Sequence, residues 1–114
     1  GAAELFGQYL LAFAIFGVGG IDLDGALLDF SKEEVDLRAA MMANARERIL
    51  VADHSKIGRN APARGGSMTD VDRFVTDIHP PDALQAILDG HGVTVELPSA
   101  ATALLEKRAA GAGK

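Results

Sequence analysis

Short apolar blocks alternate along the chain with helix-forming segments. Continuous apolar runs at residues 13–18 and 49–52 predict strands that are buried on both faces. Shorter apolar stretches at residues 73–76 and 93–97 predict two further strands. The chain therefore reads as at least four strands with helices between them.

Helical spacing predicts four helices. The first covers residues 3–11, and the second begins at Lys32 because Ser31 and Glu34 form a capping box. Pro80 and Pro81 open the third helix, which ends at Gly90. The fourth covers residues 100–109, and the residues after it, 111–114, are expected to be a mobile tail.

Each of the two central helices shows one stripe that is expected to be buried. In the second helix the stripe is Val35, Ala39, Met42 and Arg46, and in the third it is Leu84, Ile87 and Leu88. Glycine, proline, asparagine and aspartate predict loops at residues 19–30 and 58–69.

Strands separated by single helices indicate an α/β fold of three layers with a mainly parallel sheet. Ligands of such sheets bind outside the carboxyl ends of the strands. This rule directs attention to the segments that follow the strands at 13–18 and 49–52.

Composition narrows the function classes. The chain has 114 residues, of which 48% are hydrophobic, so it has the size and composition of one small globular domain. The net charge of −5 argues against DNA binding by this chain alone. No cysteine is present and no apolar run is long enough to cross a membrane, which suits a cytoplasmic protein.

The chemistry-bearing residues do not form a recognisable catalytic or metal site. The three histidines, His54, His79 and His91, lie far apart without metal-ligand spacing, and surface or turn roles are expected for them. Ser55 lacks the flanking glycines and the base that a nucleophile needs. No catalytic residue, metal or cofactor is therefore predicted.

The first segment of interest is the glycine-rich loop after the first predicted strand. Gly17, Gly19 and Gly20 would let a ligand approach the backbone and would present amides to an anion. The alternative is a tight turn in which Asp22 and Asp24 bind nearby amides. The residues alone leave both interpretations open.

The second segment, residues 53–66, is basic within an acidic chain. Lys56, Arg59 and Arg64 stand against a single acidic residue, Asp53. Cations at the ligand edge of an α/β sheet suit an anionic metabolite, with Lys56 on a phosphate and Asp53 on hydroxyl groups. A solvated basic loop capped by Asp53 is the alternative.

With these segments in view, the chain resembles the C-terminal half of the DeoR family of bacterial transcription repressors. The matching stretches are FGVGGID at 16–22, DGALLDF at 24–30, VADHSKIGRNA at 51–61 and VDRFVTD at 71–77, and the likeness covers roughly residues 12–97. Within the family, the likeness is to the members that regulate glycerol 3-phosphate metabolism.

The resemblance implies a fold and a role. Members carry an N-terminal winged helix-turn-helix for DNA, which this chain lacks, followed by a sensing domain with the fold of ribose-5-phosphate isomerase, glucosamine-6-phosphate deaminase and the CoA transferases. Residues 1–98 would be the C-terminal portion of that domain, and residues 99–114 a helix and tail. The parent would be a homo-oligomer that binds a small phosphorylated polyol or sugar.

The resemblance also bears on catalysis. In the deaminases, the corresponding Asp-Gly is followed by a histidine and then by an acid that move protons. Here Ala26 stands at the histidine position and Ser31 at that of the acid, although Asp29 lies close by. Sensing is therefore expected, with an isomerase-like or deaminase-like enzyme and a purely structural assembly domain as alternatives. The predicted effector-binding residues are Gly17, Gly19, Gly20, Asp22, Asp24, Gly25, Asp53, Lys56 and Arg59.

Overall fold

The computed structural model describes residues 11–97, which form two sheets and two α-helices. The elements in chain order are β1 (Leu11–Phe16), β2 (Gly20–Ile21), β3 (Ala26–Asp29), α1 (Lys32–Ala43), β4 (Ala45–Val51), β5 (Ala63–Ser67), β6 (Arg73–Val75), α2 (Asp82–Gly90) and β7 (Thr94–Glu96). Short 3-10 helices at His54–Lys56 and Met68–Asp70 follow β4 and β5.

The larger sheet is parallel and has the strand order β1-β4-β6-β7. Ile15 pairs with Ile49, and Val51 pairs with Val75. All four strands had been predicted, and the three-layer α/β class with a mainly parallel sheet is confirmed. The carboxyl ends of β1 and β4 consequently lie side by side.

A second, antiparallel sheet with the order β2-β3-β5 was not predicted. The expected loops at 19–30 and 58–69 are wrong, because each contains strands of this sheet. Sequence patterns missed them for a physical reason: β2 has two residues, and β5 reads Ala-Arg-Gly-Gly-Ser without any β-branched or aromatic residue. Pairing with β3, which is buried along its whole length, holds both strands in place.

The core lies between the parallel sheet, α2 and the small sheet. Leu50 and Phe74 from the parallel sheet share it with Leu84 and Leu88, which confirms most of the stripe predicted for α2. Ile21, Leu27 and Met68 complete it from the side of the small sheet.

The opposite face of the parallel sheet is more open than predicted. Phe13 and Ile15 in β1 are 49% and 51% exposed, so the expectation of a strand buried on both faces is wrong. Within residues 11–97, the core lies against the other face of the sheet, and β1 is at its edge.

Helix α1 begins at Lys32 as predicted, and the side chain of Ser31 accepts a hydrogen bond from the amide of Glu34 at 3.3 Å. Glu34 accepts from the amide of Phe30 at 3.1 Å rather than from that of Ser31. The predicted stripe is partly wrong: Met42 is buried, but Ala39 is exposed and Arg46 belongs to β4. Arg38 is buried instead, because it forms an ion pair inside the domain.

Leu11 begins β1 instead of ending a helix. The rest of the predicted first helix, the helix at 100–109 and the tail lie outside the described residues. No helix between residues 11 and 97 has the length and apolar character needed to cross a membrane.

Candidate functional site

The two segments singled out in the sequence meet at the carboxyl ends of β1 and β4. Gly17 follows β1 directly, and a Cβ atom built on it would lie 3.7 Å from the carbonyl oxygen of Val51 at the end of β4. The chain leaves β4 through Ala52 and Asp53 into the 3-10 helix His54–Lys56. The structure therefore places the glycine turn, residues 17–20, beside the basic segment, residues 53–66.

Direct backbone contact joins these two segments. A Cβ atom on Gly20 would lie 2.2 Å from the carbonyl oxygen of Arg59, a distance that no side chain can occupy. The amide of Gly58 donates to the carbonyl oxygen of Ile21 at 2.7 Å. Gly20 is thus required for the close approach of two chain segments.

A cavity of about 380 Å³ opens beside the glycine turn. Its walls include Gly17, Gly19, Phe30 and Glu34. The ring of Phe30 covers Gly19, and the guanidinium carbon of Arg59 lies 6.0 Å from the centre of that ring, within the range of a cation–π interaction. Arg59 therefore lies next to a residue of the cavity wall, Phe30.

The cavity does not unite all the predicted residues. Lys56 and Asp53 lie on the 3-10 turn after β4, and among the described residues neither contributes to the cavity wall. Lys56 is half-buried. The glycine turn and the basic segment thus share one edge of the sheet, with the cavity on the glycine side.

The basic segment contains cations in two different situations. Arg64 binds Asp22 Oδ2 at 3.0 Å and Asp24 Oδ2 at 2.6 Å. Within residues 11–97, by contrast, no ion pair involves Lys56 or Arg59. Positive charge without a paired carboxylate therefore remains at this edge.

Asp22 and Asp24 form the turn of the β2–β3 hairpin. The amide of Gly25 donates to the carbonyl oxygen of Asp22 at 2.9 Å, and Gly25 has a φ of 90°. Asp24 accepts from the amide of Ala26 at 2.9 Å, and this bond together with Arg64 lowers the pKa of Asp24. Both aspartates thus make the contacts expected for turn residues. Their ion pairs with Arg64 were not foreseen.

Asp53 caps the turn that follows β4. Its Oδ1 accepts from the amide of Ser55 at 2.8 Å and from the Ser55 hydroxyl, and these bonds lower the pKa of Asp53. His54 Nδ1 lies 2.6 Å from Asp77 Oδ2, beyond the end of β6. Hydrogen bonding to His54 lowers the pKa of Asp77 to about 2, and the same bond raises that of His54.

A buried ion pair lies directly behind the glycine turn. Asp29 and Arg38 are each 5% exposed, and their side chains bind one another. Asp29 Oδ1 also accepts from the amide of Gly19 at 3.2 Å, and Arg38 donates to the carbonyl oxygen of Gly65. Burial lowers the pKa of Arg38.

The amide of Gly19 is therefore engaged within the protein, since it also donates to the carbonyl oxygen of Leu28 at 2.9 Å. The predicted use of this amide by an anion would therefore require it to give up these bonds. At this position, the absence of a side chain admits the ring of Phe30.

Sequence reasoning missed three residues around the site, Phe30, Arg38 and Asp77, and it did not foresee the partners of Arg64. Arg38 had one local signal, because it is a charged residue inside an otherwise apolar helix stretch beside Ala39, Ala40 and Met41. Phe30 and Asp77 had none, since each acquires its role from a contact distant in sequence, with Gly19 and His54 respectively. Between residues 11 and 97, no group of three or more potential metal-ligating side chains occurs.

Comparison with known proteins agrees with this architecture. Residues 1–78 match the family described as the DeoR C terminal sensor domain. The glycerol-3-phosphate regulon repressor of Escherichia coli K12 is 43% identical over 94 residues, which are 82% of this chain and 37% of that protein. The HTH-type transcriptional repressor CsqR of the same strain is 35% identical over 97 residues, which are 85% of this chain and 37% of that protein.

A third relative, the deoxyribose operon repressor of Escherichia coli K12, is 33% identical over 69 residues, which are 60% of this chain and 27% of that protein. The chain thus spans little more than a third of the first two relatives, 37% of each. The matched family region includes the glycine turn, the buried ion pair and the whole basic segment. The chain belongs to the DeoR C-terminal sensor domain family.

Proposed function

We propose that this domain senses a small phosphorylated polyol or sugar, with glycerol 3-phosphate as the first candidate, and releases it unchanged. The observation that carries the proposal is the contact of Gly20 with the backbone of Arg59, which joins the glycine turn to the basic segment. The regulon named for the relative at 43% identity supports the choice of metabolite.

Charge supports an anionic ligand at this edge. Lys56 and Arg59 have no ion-pair partner among residues 11–97, whereas Arg64 is bound by two aspartates. A phosphate between Lys56 and Arg59 would form charge-assisted hydrogen bonds with both cations. Arg59, above Phe30, would hold it near the cavity of the glycine turn.

The remaining predicted residues divide by role in this proposal. Asp53 binds Ser55 through Oδ1, so that Oδ2, which makes no hydrogen bond within residues 11–97, would meet the ligand hydroxyls. Gly17 would allow the close approach of the ligand. Gly19 allows that of the Phe30 ring, and Gly20 allows that of the Arg59 backbone. Asp22, Asp24 and Gly25 act indirectly, because their contacts with Arg64 and with one another shape the hairpin.

We further propose that the domain acts within a longer, homo-oligomeric repressor in the cytoplasm, whose DNA-binding module is a separate N-terminal unit. The relatives named as repressors are longer than the matched region, and the acidic charge of −5 is unsuited to DNA. Effector binding must favour a subunit arrangement that fits the operator poorly, because a ligand with equal affinity for both arrangements shifts neither.

An enzymatic role on this fold has less support. Ala26 stands where the deaminase-like alternative needs a histidine, and Ser31 uses its hydroxyl to cap α1. Asp29, the nearby acid, is 5% exposed and both of its carboxylate oxygens are engaged, with Arg38 and with the amide of Gly19, which is unfavourable for a residue that must move protons. We propose binding without turnover.

The test is calorimetry on the full-length repressor with phosphorylated metabolites of three to six carbons. Lys56→Ala and Arg59→Ala should each weaken binding of the active compound about tenfold to a hundredfold, the effect of losing a hydrogen bond to a charged group. Arg46→Ala is the matched control, because Arg46 is an exposed arginine near the amino end of β4. Unchanged affinity in both site variants, or no binding of any phosphorylated compound at millimolar concentration, would refute the proposal.

A further inference from the structure

The buried pair Asp29–Arg38 links three separate parts of the domain. Asp29 ends β3, Arg38 lies in α1, and their bonds reach Gly19 in the glycine turn and Gly65 in β5. The side chains of Arg38 and Asp29 are 6% and 7% exposed. The pair therefore anchors the glycine turn, together with the backbone bond from Gly19 to Leu28, next to the cavity of about 380 Å³.

Two charges are costly to bury, and an apolar pair of similar volume commonly serves stability as well. Their presence therefore calls for a role in addition to packing. The bond pattern indicates that role: Asp29 receives the amide of Gly19 on Oδ1 and Arg38 on Oδ2, so Arg38 fixes the carboxylate that holds the turn. Arg38 and Asp29 both contribute to the lining of the cavity.

We infer that Asp29 and Arg38 are positioning residues that hold the glycine turn in the geometry required for effector binding, without themselves contacting the phosphate. This inference rests on the proposed function, because it concerns the same site. The chain of contacts runs from Arg38 to Asp29, from Asp29 to Gly19, and from Gly19 through Phe30 to Arg59. A substitution that loosens the pair should thus displace Arg59, although no residue of the basic segment is itself substituted.

The main variant is Arg38→Lys in the full-length repressor. A lysine keeps the charge beside Asp29 but has no planar fork with which to bind Asp29 and the Gly65 carbonyl together. The double variant Asp29→Asn/Arg38→Gln removes both charges and leaves hydrogen-bonding groups, so that no lone charge stays buried. The control is Leu88→Ala, a fully buried core position in α2 that lowers stability and leaves the Asp29–Arg38 pair unchanged.

Two measurements are made on the variants below their unfolding temperatures. Hydrogen exchange should be at least about tenfold faster for residues 17–20 in Arg38→Lys and in the double variant than in Leu88→Ala. Glycerol 3-phosphate affinity, measured by calorimetry, should fall about tenfold to a hundredfold in the same two variants and stay unchanged in the control, as expected when binding groups are misplaced by about an ångström.

The exchange measurement requires no effector, so it separates this inference from the proposed function. Wild-type protein that binds no phosphorylated compound would refute the proposed effector, and faster exchange would still show that the pair holds the turn. Exchange in residues 17–20 no faster than in Leu88→Ala would overturn the inference. Normal affinity in both charge variants of a wild type that does bind would also overturn it.

Discussion

Arg59 and Arg64 belong to the same basic segment, yet their surroundings differ. Arg64 is held by Asp22 and Asp24, and these carboxylates raise its pKa. Arg59 has the face of Phe30 as its neighbour and no ion-pair partner among residues 11–97. At the scale of the residue, the partner of a basic side chain decides whether its charge is available to a ligand. A count of basic residues overstates the charge available to a ligand.

His54 and Asp77 give a prediction at this scale. Their hydrogen bond raises the pKa of His54 above 6.5 and lowers that of Asp77 to about 2. The His54 contribution to stability is thus complete below pH 6.5 and is lost as the pH rises through the raised value. The Asp77 contribution is present above pH 3.8 and is lost as the pH falls through about 2.

Asp77→Asn should return the His54 titration midpoint toward 6.5 in an NMR titration of the ring protons. Asp53 also faces His54 and keeps a small raising effect in the variant. The signals of His79 and His91 serve as internal controls. A His54 midpoint that does not move on loss of Asp77 would show that the 2.6 Å hydrogen bond between His54 Nδ1 and Asp77 Oδ2 does not persist in solution.

At the scale of elements, the small antiparallel sheet positions the glycine turn. β2 contains only Gly20 and Ile21, and it is held by β3 on one side and by an isolated bridge from Ile21 to Ile57 on the other. A strand this short has no stability of its own. Its position depends on Gly20, which allows the basic segment to pack against it.

Gly20→Ala should therefore lower the free energy of unfolding by about 1–3 kcal/mol, the usual effect of forcing extra atoms into a packed site. The added Cβ would lie 2.2 Å from the carbonyl oxygen of Arg59, and the backbone of the basic segment must move to admit it. Urea titration measures the loss.

Gly17→Ala is the matched control for this experiment. Its Cβ would meet its nearest neighbour, the carbonyl oxygen of Val51, at an ordinary contact distance of 3.7 Å. Equal stability losses in the two variants would show that the Gly20–Arg59 contact is not special.

At the scale of the whole molecule, the parallel sheet has two unlike faces. Phe74 is fully buried on one face with Leu50, Leu84 and Leu88. On the other face, Phe13 and Ile15 are about half exposed, at 49% and 51%. Within residues 11–97, the hydrophobic stabilisation thus comes mainly from one side of the sheet.

Replacing the two phenylalanines should distinguish these faces. Phe74→Ala should cost about 3–5 kcal/mol of unfolding free energy, because a fully buried ring leaves a cavity. Phe13→Ala should cost about 1 kcal/mol, in proportion to its partial burial. Both losses are measured by urea unfolding of the same protein, and a larger loss for Phe13 would show that its face is covered in solution.

The sequence by itself determined the features that depend on neighbouring residues. It located the four parallel strands, the start of α1 at Lys32, the buried stripe of α2, and the glycine and basic segments at one edge of the sheet. These follow from apolar periodicity, from the Ser31 cap and from the rule that parallel strands end together.

Only the tertiary structure decided which charged groups are paired and which loops are strands. Arg38 meets Asp29, Arg64 meets Asp22 and Asp24, and β5 pairs with β3, all across long stretches of chain. A contact between distant residues depends on the packing of every element between them, so no local pattern encodes it. The geometry that holds the glycine turn against the basic segment is therefore a property of the folded domain.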